Sequence, residues 1–144
     1  MNIAIGCDHA GFELKEKIIS KYNNIKFIDC GTFSPESVDY PDFGHKVGLC
    51  VLDSNNKDCD KGIVICGSGI GISIAANKLN GIRAALCHTL EHARLSRLHN
   101  DANILALGAR LTDEDEIFSI IDNFLNTEFE AGRHQERINK IEKI

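Results

Sequence analysis

The chain has 144 residues, 43% of them apolar and 26% charged, with a formal net charge of -5. That balance suits one soluble globular domain with room for a core, and its acidity argues against nucleic acid or an anionic membrane as partner. No apolar run reaches membrane-span length and Met1–Gly6 carries no charged leader region, so the expected location is cytoplasmic.

Taken in order, Ile3-Ala-Ile-Gly6 reads as a short strand and Cys7-Asp-His-Ala-Gly11 as the turn that leaves it. Phe12, Leu14, Ile18 and Ile19 fall broadly on one face of a predicted helix. Lys26–Gly31 reads as a second strand. Thr32–Asp42 holds both prolines, Pro35 and Pro41, and is expected to be a loop, either a functional flap or an inert crossing. Phe43–Leu52 looks helical, and Asp53–Asp58 is a polar connection. Ile63–Ile65 is apolar and β-branched, as a buried parallel strand should be, and a helix resumes over Ile72–Lys78. Ile82–His88 is a fourth strand, Leu90–Leu98 a helix and Asn103–Gly108 a fifth strand. Glu114–Leu125 and a stretch from about Arg133 to the C-terminus are predicted helices. Strands alternating with helices give a parallel sheet covered on both faces. The expected fold is one α/β domain over 1–144, a Rossmann-like three-layer α/β/α sandwich around a five-stranded parallel sheet.

The chemistry centres on Cys66-Gly-Ser-Gly-Ile-Gly71. A strand, a glycine loop and a helix N-terminus make an anion site, because free backbone N–H groups converge there. A helix N-terminus also favours thiolate, so Cys66 reads as a base beside an oxyanion cradle. Three better-known loops are excluded. A dinucleotide fingerprint needs a glycine where Ile72 stands, a nucleophile elbow needs one where Cys66 stands, and Gly6–Gly11 is followed by Phe12-Glu13 rather than Lys and Ser/Thr. A plain glycine turn joining strand to helix is the competing reading. The six cysteines (7, 30, 50, 59, 66, 87) include no C-x-x-C pair, and all but Cys66 read as reduced core residues.

Ligands in open parallel sheets bind at the carboxyl ends of strands. Asp8-His9 after the first strand, Cys66–Gly71 after the third and Arg110 after the fifth can therefore share a cleft. Asp8 is also a plausible turn cap. His99-Asn100-Asp101 closes a helix with groups able to exchange protons, or merely complements its dipole. His88 and His92 do not match a zincin motif, and His45 has no sequence partner. Arg133 and Arg137 lie one helical turn apart, suited to phosphate, or else form a solvated face balanced by Glu136 or Glu142. No cluster has metal-ligand spacing, so neither metal nor cofactor is expected.

Five stretches together carry a resemblance: Gly6–Gly11, Asp39-Tyr-Pro41, Cys66–Lys78, Leu95–Asp101 and Gly132–Arg137. In that order, over nearly the full length, the chain resembles the type B ribose-5-phosphate isomerases, a family that includes galactose-6-phosphate and allose-6-phosphate isomerases. The resemblance implies metal-free interconversion of ribose 5-phosphate and ribulose 5-phosphate in the pentose phosphate pathway. By position it makes Cys66 the base, His99 the ring-opening group, and Gly67, Ser68, Gly69, Ile70 and Gly71 the cradle for the anionic intermediate. Many members have Thr at the place of Ser68, which preserves the hydroxyl. Asp8, His9 and Asn100 are implied to contact the sugar, and Arg110, Arg133 and Arg137 chiefly its phosphate. It also implies a homodimer or dimer of dimers with shared sites, so that His99 or Arg110 serves the neighbouring subunit.

The residues agree with this chemistry. Aldose–ketose isomerisation needs one base reaching two carbons, donors for an oxyanion, and an acid/base for ring opening. The alternatives are an isomerase of a hexose 6-phosphate (allose or galactose) and a non-catalytic phosphate- or nucleotide-binding module, which would need only the cradle and the arginines.

Overall fold

Five apolar runs become the strands of one parallel sheet in the computed structural model, which describes residues 1–55, 59 and 61–143. They are β1 (Asn2–Cys7), β2 (Lys26–Asp29), β3 (Lys61–Cys66), β4 (Ala84–Leu86) and β5 (Ile104–Gly108), in spatial order β2-β1-β3-β5-β4. The α-helices among the described residues are α1 (Phe12–Lys21), α2 (Tyr40–Leu52), α3 (Ile70–Ala76), α4 (Leu90–Asn100), α5 (Glu114–Asn126) and α6 (Arg133–Glu142). A short 3-10 turn, His9–Gly11, precedes α1.

The layers follow from strand alternation. Ile3, Ile5, Ile63, Ile65, Leu105 and Leu107 point to one face and pack with Leu14 and Ile18 of α1, Ala93 of α4 and Phe124 of α5. Ala4, Val64, Cys66, Ile104 and Ala106 point to the other, against Phe43 and Val47 of α2 and Ile72 and Ala76 of α3. Right-handed crossovers dictate that division: the chain steps one way from β1 to β2 and back across the sheet to β3, so α1 and α2 fall on opposite faces. The expected three-layer sandwich is the observed one.

Several boundaries move, each for a physical reason. α2 begins at Tyr40 rather than Phe43, because Pro41 sits in the first turn, where a missing N–H costs nothing. β4 is confined to Ala84–Leu86, an edge strand with only β5 beside it. α4 runs on to Asn100, enclosing His99 in its last turn, and stops at Asp101, whose left-handed φ of 45° ends the helix. α3 covers Ile70–Ala76 rather than Ile72–Lys78, starting directly at the glycine loop. The end of the Asp53–Asp58 connection, from 56 onward, and residue 144 of the C-terminal stretch lie outside the described residues. No helix is long and apolar enough to cross a membrane.

Lys15 is fully buried on α1. Its Nζ grips the two carboxylate oxygens of Asp29 at 2.7 and 2.6 Å, and Asp29 Oδ1 also accepts from the Gly31 amide at 2.9 Å. This pair fixes where the chain leaves β2 and enters the 32–39 loop. A buried charge survives only with such a partner.

Candidate active site

The carboxyl ends of β1, β3 and β5 are neighbours in the sheet, and the predicted residues that follow them meet there. Cys66 is 4% exposed and ends β3. Its Sγ accepts a hydrogen bond from the Gly69 amide at 3.1 Å, a contact that steadies negative charge on the sulfur. Gly69 has φ +79°, and a Cβ there would lie 2.5 Å from Leu86 Cδ1, so only glycine turns the chain back over the thiol. Gly71 is held open differently: a Cβ would strike the Tyr40 ring at 2.5 Å.

The cradle amides divide in two. Gly69 N is spent on Cys66 Sγ and Ile70 N on Ser68 Oγ at 3.1 Å. Gly67, Ser68 and Gly71 have no amide acceptor among the described residues, and these are the donors left for an anion. β5 braces the loop from beside it, with Ala109 N donating to Cys66 O and Arg110 N to Gly67 O, both at 2.9 Å. The Arg110 side chain lies over the loop, its Cδ and Nη1 at 3.4 and 3.5 Å from the place of a Gly67 Cβ.

Asp8 is buried and does cap the turn after β1: Oδ1 accepts from Ala10 N at 2.9 Å and Gly11 N at 3.3 Å. Capping occupies one carboxylate oxygen and leaves Oδ2. His9 Nδ1 accepts from Val38 N at 3.2 Å, which puts the ring proton on Nε2 and ties the 32–39 loop to the site. The loop is thus bonded to the turn that follows β1.

His99, Asn100, Arg133 and Arg137 are elsewhere. α4 leaves the carboxyl end of β4 and returns to the start of β5, so its last turn stands at the amino edge of the sheet. The register pairs Ile104 with Gly62 and Gly108 with Cys66; four residues of strand put about 13 Å between those edges. α6 packs on α4 there. The imidazoles of His99 and His134 stack with centroids 4.3 Å apart and planes at 17°. Arg137 Nη1 is 3.5 Å from His134 Nδ1. Neither Arg133 nor Arg137 pairs with a carboxylate among the described residues. Glu142, one expected counterion, binds Arg83 instead. One chain therefore holds the predicted site residues in two groups, not one.

Sequence reasoning missed the residues that only packing brings in. Arg97 is buried and ties Asp101 Oδ1 (2.8 Å), Ala102 O (2.7 Å) and Thr127 O (3.2 Å), fixing the end of α4 that carries His99. Tyr40, His134 and Glu130 likewise have no signal beyond their motif neighbours. Packing also creates a metal-type group that spacing did not foretell: His99, Glu130 and His134 offer ligand atoms within 4.8 Å of one another. In nearly parallel rings the in-plane lone pairs do not converge on one ion, so this arrangement is a stacked pair and not a coordination site.

Comparison with known proteins places this geometry. The ribose/galactose isomerase family model matches residues 3–141. Ribose-5-phosphate isomerase B of Escherichia coli is 46% identical over 144 residues, covering 99% of this chain and 95% of that protein. Among solved structures, ribose-5-phosphate isomerase B of Clostridium thermocellum superposes with TM-score 0.94 at 53% identity, covering 99% of this chain and 96% of the other. The Mycoplasma genitalium ribose-5-phosphate isomerase B with bound ribulose-5-phosphate gives TM-score 0.91 at 42% identity, covering 99% and 94%. On a match that runs through both groups of site residues, the chain belongs to the ribose/galactose isomerase family.

Proposed function

We propose that the chain is an aldose–ketose isomerase interconverting ribose 5-phosphate and ribulose 5-phosphate through an enediolate. The observation that carries this reading is Cys66 Sγ, gripped by the Gly69 amide at 3.1 Å beside three amides free for an anion. Cys66, as thiolate, takes the proton from C2 of the open aldose, and the electron pair moves onto the C1 carbonyl oxygen. The Gly67, Ser68 and Gly71 amides stabilise the charge that develops there. A proton passes from O2 to O1, the thiol returns its proton to C1, and C2 is left as the ketone with the thiolate restored. Asp8 and His9 hold the sugar hydroxyls, and Arg110 reaches substrate over Gly67.

Ring opening precedes that step and needs a proton on the ring oxygen, the role read for His99, with Asn100 beside it on the sugar. Arg133 and Arg137 take the phosphate. Since these four stand at the opposite edge of the sheet from Cys66, a full site forms between two copies, as a homodimer or a dimer of dimers. Ile70, Ile74 and Leu111, exposed at 50%, 56% and 64% around the cradle, support an apolar contact there. The scheme draws on no metal or cofactor and belongs to the pentose phosphate pathway, in the cytoplasm. The pentose is favoured over a hexose by the relative that carries bound ribulose 5-phosphate.

A coupled assay offering ribose 5-phosphate, allose 6-phosphate and galactose 6-phosphate tests the reading. Ribose 5-phosphate is expected to give the highest kcat/KM. A preference for either hexose phosphate overturns the substrate, and binding without turnover overturns the enzyme.

A further inference from the structure

His134 has no part in that scheme, yet it is the buried member of the amino-edge group, 5% exposed. A guanidinium can only donate, so the Arg137 Nη1 contact at 3.5 Å makes His134 Nδ1 the acceptor and places the ring proton on Nε2. That Nε2 is buried with no hydrogen-bond partner. Glu130 Oε2 lies 3.9 Å from it and 3.8 Å from His99 Nε2, about equally far from both rings' Nε2 atoms. A buried polar atom left unpaired is costly and calls for an explanation.

We propose that His134 is a positioning residue for His99 that ties occupancy of the Arg137 anion site to a proton on the stacked pair. The proposal rests on the reading of Arg137 as a phosphate ligand. In the unliganded chain, burial, then His99, Arg133 and Arg137 hold the His134 imidazole below the ordinary histidine range, and Glu130 alone opposes them. On the α4 side Glu91, itself paired with Arg94 at 2.6 Å, interacts with His99. A dianion on Arg133 and Arg137 cancels their field and draws Arg137 away from Nδ1. The pair then takes up one proton; a second charge on a ring stacked so closely is strongly disfavoured. The proton settles on His99, whose side chain is 38% exposed against 7% for His134, because the better solvated ring carries charge at less cost. His99 thus becomes an acid when the phosphate is seated, which is when the ring oxygen needs a proton. The sign follows: a dianion that raises the pair's proton affinity binds more tightly as pH falls through the histidine range.

Sulfate is the probe, because its charge does not change across that range. Calorimetric titration of the intact protein in buffers of different ionisation enthalpy reads the protons taken up per sulfate bound. Wild type is expected to take up roughly half a proton near pH 6.5. His134→Phe keeps a flat ring under His99, and His134→Asn keeps an acceptor for Arg137 without a titrating nitrogen. Both should bind sulfate with comparable affinity, lose most of the uptake, and show a kcat–pH profile displaced from wild type at little change in KM. No uptake by wild type, or equal uptake by both variants, overturns the proposal. Sulfate that fails to bind wild type overturns the phosphate role of Arg137 together with it. Full turnover of ribose 5-phosphate with an unaltered pH profile in both variants overturns the linkage alone and leaves the isomerase reading standing.

Discussion

The two edges of the sheet solve different problems with different materials. At the carboxyl edge, six consecutive residues of backbone make the cradle, and its shape is fixed by the left-handed turn at Gly69 and the Tyr40 ring against Gly71. At the amino edge, side chains from α4, α6 and the segment between α5 and α6 make a charged cluster, held by stacking and by Arg97. The cradle is nearly all main chain, anchored by buried Cys66 and Gly69 with its other residues partly open. The cluster is open, with Arg133 and Arg137 exposed. On the proposed reading each lacks what the other has: the cradle brings a base but no ring-opening acid, and the cluster brings phosphate ligands but no base. So divided, the proposed chemistry requires assembly of two copies.

The sharpest break between the halves is Cys66→Ala. A small apolar side chain still fits the buried strand end, so the fold and sugar-phosphate binding should survive. Exchange of the substrate's carbon-bound proton with solvent should fall by about 10²–10⁴-fold or more, the range for a lost positioned base. Retained exchange, read by deuterium incorporation, would move the base elsewhere, with Asp8 the first suspect. Burial pushes the Cys7 and Cys87 thiols up to about 11 and Cys30 up to about 12, and these stay protonated in ordinary buffers.

A mixture of two dead proteins tests the division itself. Cys66→Ala keeps the amino-edge cluster and His99→Asn keeps the cradle. If sites form between copies, refolding the two together at equal amounts should produce mixed dimers with one intact site each. Activity should then recover to about a quarter of wild type, because half the dimers are mixed and half their sites are whole. No recovery, with mixed dimers verified by mass, would place both halves of the site within one chain's own reach.

Arg137→Ala addresses the cluster's phosphate role. One charge-assisted hydrogen bond is worth about 1.5–3 kcal/mol, so KM should rise roughly 10- to 150-fold. A phosphate-free sugar should be affected far less. Equal losses for both substrates would make Arg137 structural.

The same contrast explains what the sequence disclosed. The cradle is continuous in the chain, so strand, glycines and helix start announce themselves at Ile63–Lys78, and only its boundaries shift. The covered parallel sheet and the loop's place at a strand's carboxyl end follow from the alternation of strands and helices, whereas the strand order β2-β1-β3-β5-β4 comes only with the fold. The cluster is discontinuous: nothing in the spacing of His99 and His134 says that their rings stack, or that Glu130 reaches both. Lys15 was invisible for the same reason, since a lysine on a helix is ordinarily solvated until a partner such as Asp29 is folded beside it. Edge strand β4 is shorter than the Ile82–His88 run suggests, because the ladder with β5 registers only Ala84, Ala85 and Leu86.

The smallest effect sharpens how far the cradle is a main-chain device. Ser68 Oγ accepts from Ile70 N at 3.1 Å, an exposed bond that shapes the loop and leaves the hydroxyl proton for a ligand. Ser68→Thr keeps that oxygen and should leave kcat/KM within about twofold, since the added methyl lies at a partly open site. Ser68→Ala removes it, but water can reach the Ile70 amide, so the loss should be that of one ordinary hydrogen bond, about 0.5–1.5 kcal/mol or roughly 2- to 12-fold in kcat/KM. Steady-state kinetics on the two variants decides the matter. A Ser68→Ala loss as deep as that of Cys66→Ala would mean that the hydroxyl itself carries the developing charge. The backbone amides would then be scaffold for a side-chain donor, and the cradle would resemble the amino-edge cluster more closely than its glycines suggest.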